Sequence, residues 1–82
     1  MRVAVDLSLY PITDDFIPPI DDVIERLNEH AELEVETNRM STQVRGEYEV
    51  VMDALTREIG RTFENVPKAV FVMKILNNPH GD

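Results

Sequence analysis

Residues 33–45 read Leu-Glu-Val-Glu-Thr-Asn-Arg-Met-Ser-Thr-Gln-Val-Arg. Leu33, Val35 and Thr37 alternate with Glu34, Glu36 and Asn38. Beyond Arg39-Met40 the alternation resumes, with Thr42 and Val44 on one side and Ser41, Gln43 and Arg45 on the other. Period two on both sides of a short break is the pattern of a β-hairpin. A two-residue turn at Arg39-Met40 pairs Val35 with Val44 and Glu36 with Gln43, and sets Glu34 opposite Arg45 as a cross-strand charge pair. This register keeps each apolar set on one face, whereas a slip of one residue would invert every side chain. The turn lacks the Asn-Gly or Asp-Gly of tight hairpins, so a longer loop or a bulge near Met40 is a second solution.

On each side of the hairpin lies a helical pattern. Upstream, Ile20, Val23, Ile24, Leu27 and Ala31 recur at helical spacing, with Asp21, Asp22, Glu25, Arg26, Asn28 and Glu29 between them. Pro18 and Pro19 suit a first helical turn, and Asp14, Asp15, Asp21 and Asp22 are read as capping or N-terminal carboxylates. His30 falls in the last turn, where a cation complements the helix dipole. Downstream, Gly46-Glu47 are read as opening a second helix with the stripe Tyr48, Val51, Met52, Leu55, Ile59 and Phe63. Gly60 costs this helix about 1 kcal/mol relative to alanine and is expected to fray its end.

Outside the helices lie two more strands. Val3, Val5, Leu7 and Leu9 alternate with Ala4, Asp6, Ser8 and Tyr10 until Pro11 stops the ladder. Residues 69–76, Ala-Val-Phe-Val-Met-Lys-Ile-Leu, are apolar on both faces. The domain is therefore expected over residues 1–76, with 77–82 a disordered polar tail that carries His80. The order βαββαβ defines an α+β, ferredoxin-like fold: a four-stranded antiparallel sheet, order 4-1-3-2, with two helices on one face. The other face would carry Ala4, Asp6, Ser8, Tyr10, Glu34, Glu36, Asn38, Ser41, Gln43 and Arg45, together with either Val70 and Val72 or Phe71 and Met73. A last strand apolar on both sides is expected to bury its second face in a subunit contact or, alternatively, under the tail.

Composition narrows the function. The 82 residues carry 16 acidic and 8 basic side chains, a net charge of −8, and no cysteine. Phosphate contact needs a basic surface, so nucleic acid and anionic membranes are not expected partners. No thiolate site or disulfide exists. No signal-like or membrane-spanning apolar run is present, and the cytoplasm is the expected compartment. No spacing predicts a metal or cofactor site, and no residue set supplies both a nucleophile and a base, so an enzyme is not expected. The stretch Thr37–Thr42 packs hydroxyls, an amide and a methionine into one turn. It reads either as a plain polar hairpin or as hydrogen-bonding and soft apolar contact for a small heteroaromatic molecule.

Leu9-Tyr10-Pro11 closing the first strand, Glu36-Thr37-Asn38 followed by Met40-Ser41-Thr42, Gly46-Glu47, and Val70-Phe71-Val72 in the last strand together resemble the YkoF-like thiamine/hydroxymethylpyrimidine-binding family. The resemblance spans residues 2–76. It implies the same ferredoxin-like fold, assembly through sheet faces and edges into a homodimer or homotetramer, and non-catalytic binding of thiamine or its pyrimidine precursor in support of uptake or salvage. Carried over to this chain, it implies Ser8, Tyr10, Asn38, Ser41 and Thr42 as pocket groups, Met40 as an apolar wall, and Glu36 facing the aminopyrimidine amine or the thiazolium charge. The alternative is a structural or regulatory interaction module with no small-molecule ligand.

Overall fold

The computed structural model describes residues 1–77. Its elements are β1 (Arg2–Pro11), α1 (Ile17–Asn28), β2 (Glu34–Thr37), β3 (Thr42–Glu47), α2 (Tyr48–Asn65) and β4 (Ala69–Asn77). The strands form one antiparallel sheet in the order β2-β3-β1-β4, the ferredoxin-like arrangement. Strand β4 includes Asn77, and the rest of the expected tail, residues 78–82 with His80, lies outside the described residues.

The hairpin has the register its alternation demands: Glu34 faces Arg45, Val35 faces Val44, Glu36 faces Gln43 and Thr37 faces Thr42. The turn is tight without glycine because Asn38 builds it. Its Oδ1 accepts from the amides of Met40 (2.8 Å) and Ser41 (3.1 Å), and its own amide donates to the Ser41 carbonyl at 3.0 Å. An Asx side chain thus replaces backbone that a glycine would otherwise supply. The Glu34–Arg45 ion pair expected from the register does not form. Arg2 takes Glu34 (3.5 Å), and Arg45 donates to Gln43 Oε1 at 3.3 Å instead.

Val3, Val5, Leu7 and Leu9 are buried beneath the helices together with Val44, Val23, Leu27, Val51, Ala54 and Leu55. Directly opposed residues of antiparallel strands share a face. Phe71, Met73 and Ile75, opposite Leu9, Leu7 and Val5, therefore belong to the helix side. Val70 and Val72, opposite Tyr10 and Ser8, belong to the open face. The helices pack over β1, β2 and β3 and leave β4 mostly uncovered. Phe63 meets Phe71 edge to face at 5.6 Å, yet Val72 and Ile75 remain about half exposed on opposite sides of the strand.

Four helix boundaries differ from the sequence reading. Helix α1 ends at Asn28, so Ala31 is exposed in the following turn and His30 lies past the helix end. Asp14 and Asp15 do not cap α1, whose N-cap is Phe16 without a side-chain bond, and Asp21 and Asp22 fall beyond its first turn. Pro18 and Pro19 lack N–H groups, so fewer donors there require a cap. Gly46 lies within β3 rather than opening α2, while Glu47 both ends β3 and stands as the N-cap of α2. A Cβ on Gly46 would lie 3.2 Å from Val51 Cγ2 and 3.4 Å from the Glu32 carbonyl, so glycine lets α2 approach the sheet. Helix α2 continues past Gly60 to Asn65 without fraying there.

Between the helices lies a buried polar cluster that the apolar stripes do not reveal. Glu58 is 2% exposed. Its carboxylate accepts from Arg26 Nη1 at 2.6 Å and lies 2.7 Å from His30 Nε2 and 3.4 Å from Arg61 Nη1. Arg26 also donates to the Glu58 carbonyl (3.0 Å), Thr62 Oγ1 (2.8 Å) and Asp22 (3.1 Å). Burial pushes the Glu58 carboxyl up, but the His30 and Arg26 hydrogen bonds and the Arg61 and Arg26 charges outweigh it, and its pKa falls below the ordinary 4.5.

Candidate functional site

At the hairpin end of the molecule a concavity of about 170 Å³ opens between α1 and the sheet. Its walls are Leu7 to Tyr10 of β1, Ile20, Val23, Ile24 and Leu27 of α1, and Thr37 to Thr42 of the hairpin. The helix contributes an apolar stripe at i, i+3, i+4 and i+7, which is the face it turns to the sheet. Two hydroxyls interrupt that apolar lining. Thr42 is buried opposite Leu7 and Thr37, and the Thr37 and Thr42 Oγ1 atoms are 3.1 Å apart. Each hydroxyl both donates and accepts, so the pair retains hydrogen-bonding capacity toward a polar edge of a bound molecule.

This concavity gathers Ser8, Tyr10, Asn38, Met40, Ser41 and Thr42. Glu36 is not among its walls. It projects from the open face and borders a shallow hollow of about 90 Å³ with Glu34, Val35, Gln43 and Arg45. The alternation placed the candidate chemistry on the open face, whereas the concavity lies on the helix side at the strand ends. The physical reason is that β2 and β3 stop at Thr37 and Thr42, and α1 overhangs the gap they leave. Tyr10 and Met40 are 55% and 85% exposed, so they stand at the rim rather than in the interior.

On the open face the Asp6 carboxylate is already engaged. Asp6 accepts a hydrogen bond from Ser41 Oγ and lies 3.7 Å from Lys74 Nζ. A second hollow, of about 260 Å³, forms there over Ala4, whose neighbours across the strands are Arg45 and Leu76. It exists because a short side chain is flanked by two long ones.

Sequence reasoning singled out the turn Thr37–Thr42 but missed the contributions of Leu7, Leu9 and α1. One signal was present: threonines at Thr37 and Thr42, positions whose alternation points toward the helices, break an otherwise aliphatic row. Among the described residues, no cluster of three or more side chains is arranged to hold a metal ion, and no helix is long and apolar enough to cross a membrane.

Residues 5–82 match the model of a family described as thiamine-binding protein. No curated protein matches the sequence. Solved structures do. A candidate thiamine biosynthesis/salvage protein of Thermotoga maritima superposes with a TM-score of 0.87 at 23% identity, over 100% of this chain and 89% of its own. A Streptococcus pneumoniae protein gives 0.84 at 23% identity over 92% and 84%, and a domain of unknown function from Bacillus cereus 0.77 at 23% over 96% and 78%. At these identities the likeness establishes the fold.

Proposed function

This chain belongs to the thiamine-binding protein family, and on that premise we propose that its helix-side concavity binds the pyrimidine ring of thiamine or of a hydroxymethylpyrimidine-like precursor, without turnover, as a cytoplasmic protein supporting uptake or salvage. The observation that carries this reading is the size and lining of the pocket. A cavity of roughly 150 Å³ with aliphatic walls accepts one benzene ring, so 170 Å³ suits one substituted six-membered ring. Whole thiamine would leave its thiazolium outside, near exposed Met40 and Tyr10. The apolar stripe of α1 would cover the ring face, and the Thr37–Thr42 hydroxyls would meet the ring nitrogens or the amine. Ser8, Asn38 and Ser41 border the same end of the pocket. Glu36, on the other side of the sheet, is assigned no ligand contact.

Isothermal calorimetry with hydroxymethylpyrimidine and with thiamine tests this. Saturable heat is expected for both. Ile24→Phe should fill the pocket and abolish that heat while the fold, followed by circular dichroism, is kept. Folded protein giving no heat with either compound at millimolar concentration would overturn the proposal.

The exposure of β4 supports a companion proposal of homodimers or homotetramers. Its outer edge offers unpaired backbone groups, and Val70, Val72, Ile75 and Leu76 are 48–57% exposed on its two faces. Val72→Lys should shift the sedimentation coefficient to that of a 9.4 kDa monomer. If the wild type already sediments as a monomer, the assembly claim fails. An assembly that persists with no ligand heat would favour the interaction-module reading.

A further inference from the structure

The chain has 16 acidic residues, yet no carboxylate lines the helix-side pocket, whose one charged wall residue is Arg39 at the hairpin tip. Among the described residues Arg39 has no ion-pair partner; in the adjoining strands Asp6 is engaged by Lys74 and Ser41 and Glu34 by Arg2, while Glu36 borders the open-face hollow rather than this pocket. Asn38 has its Oδ1 committed to the turn amides, so the group its side chain has left to offer is the Nδ2 donor. The mouth therefore presents a guanidinium and an amide donor, and no carboxylate. A cationic substituent leaving the pocket would meet like charge at Arg39. An anionic one would meet a planar donor fork suited to phosphate oxygens.

We infer that the preferred ligand of this site is a single-ring heteroaromatic carrying a phosphate-type anion on its exocyclic arm, with Arg39 as the residue that selects it. This rests on the pocket reading above and sharpens it: the ring is held by α1 and the threonine pair, and the arm is read by the hairpin tip. A phosphate monoester carries about −1.5 to −2 charge at neutral pH. The site selects it locally, against the general repulsion of a chain with net charge −8.

The test is calorimetry at neutral pH with hydroxymethylpyrimidine, its monophosphate, and thiamine, on the wild type, Arg39→Gln and Arg39→Lys, at low and high salt. Because Arg39 is exposed and its ion pair is screened, the monophosphate should bind the wild type about tenfold more tightly than the parent alcohol. Thiamine should bind more weakly than either. Arg39→Gln should remove the monophosphate's advantage and leave the alcohol's affinity within about twofold, because a neutral ligand loses no ion pair. Arg39→Lys should keep part of the advantage, and added salt should reduce it in the wild type and in Arg39→Lys but not in Arg39→Gln. Equal or weaker binding of the monophosphate by the wild type, or an advantage that survives Arg39→Gln, overturns the inference while the pocket reading stands. Absence of binding by all three compounds overturns both.

Discussion

Glu58→Ala removes the carboxylate on which Arg26, His30 and Arg61 converge. The Arg26 side chain is 12% exposed, so deletion strands a guanidinium in a site that water scarcely enters. Removing one partner of a buried ion pair costs about 3–5 kcal/mol. Arg26 keeps Asp22 at 3.1 Å and Thr62 at 2.8 Å, which places the expected loss near the bottom of that range, at about 3 kcal/mol. A domain of this size holds roughly 4–12 kcal/mol in all, so the variant should be markedly less stable and its thermal midpoint should fall by about 12–24 °C. Urea denaturation of the wild type, Glu58→Ala, Glu58→Met, Arg26→Met and the Arg26→Met/Glu58→Met pair measures it. The double apolar variant should recover to within about 1 kcal/mol of the wild type, because Asp22 and Arg61, which lose their partners, are about half exposed to water and neither Arg26 nor Glu58 is left buried and unpaired. The pH dependence supplies a separate check. The folded-state pKa of Glu58 lies below its ordinary 4.5. Its contribution is therefore complete above that value and is lost as pH falls through the lowered one. The gap between wild type and Glu58→Ala should narrow over the same acid range. A cost below about 1 kcal/mol at neutral pH, against the 3–5 expected of a buried pair, would refute the reasoning. So would a double variant no better than the sum of the single ones.

Gly60 sits in the middle of α2 with nothing within 4 Å of where a Cβ would stand, so Gly60→Ala should stabilise the fold by about 0.5–1 kcal/mol in urea melts. Gly46→Val should do the opposite, costing about 1–3 kcal/mol, because its added carbons would press on Val51 and the Glu32 carbonyl. Asn38→Ala removes the acceptor for two turn amides. It should cost about 1 kcal/mol and speed hydrogen exchange at Met40 and Ser41 without changing exchange at Val44.

The hairpin shows how much of the fold the sequence carries. Two alternating runs around Arg39-Met40 admit one register that keeps Val35 and Val44 on the same side, and that register is the one observed. The faces of β1 follow from the same period. What could not be read were positions where a neighbour distant in sequence changes the meaning of a residue. Glu58 lies between Leu55 and Ile59 and reads as one more polar residue on α2. It is buried because Arg26 and His30, 32 and 28 residues away, come to meet it. Gly46 reads as a helix start, but it is a strand residue whose missing side chain admits Val51. Glu34 reads as the partner of Arg45, but the Arg2 side chain reaches it instead.

For the candidate site the division is similar. The sequence by itself determined that a polar, hydroxyl-bearing turn closes the central hairpin, because local spacing alone decides which residues share a strand end. It also determined that the last strand is apolar on both faces. Only the tertiary structure decided that the concavity beside this turn lies under α1 rather than on the open face, that Glu36 stands outside it, and that Arg39 is its one charged wall. Periodicity specifies which way a side chain points from its own element. Where two elements stop short of each other, and so leave a pocket, depends on their lengths and packing together.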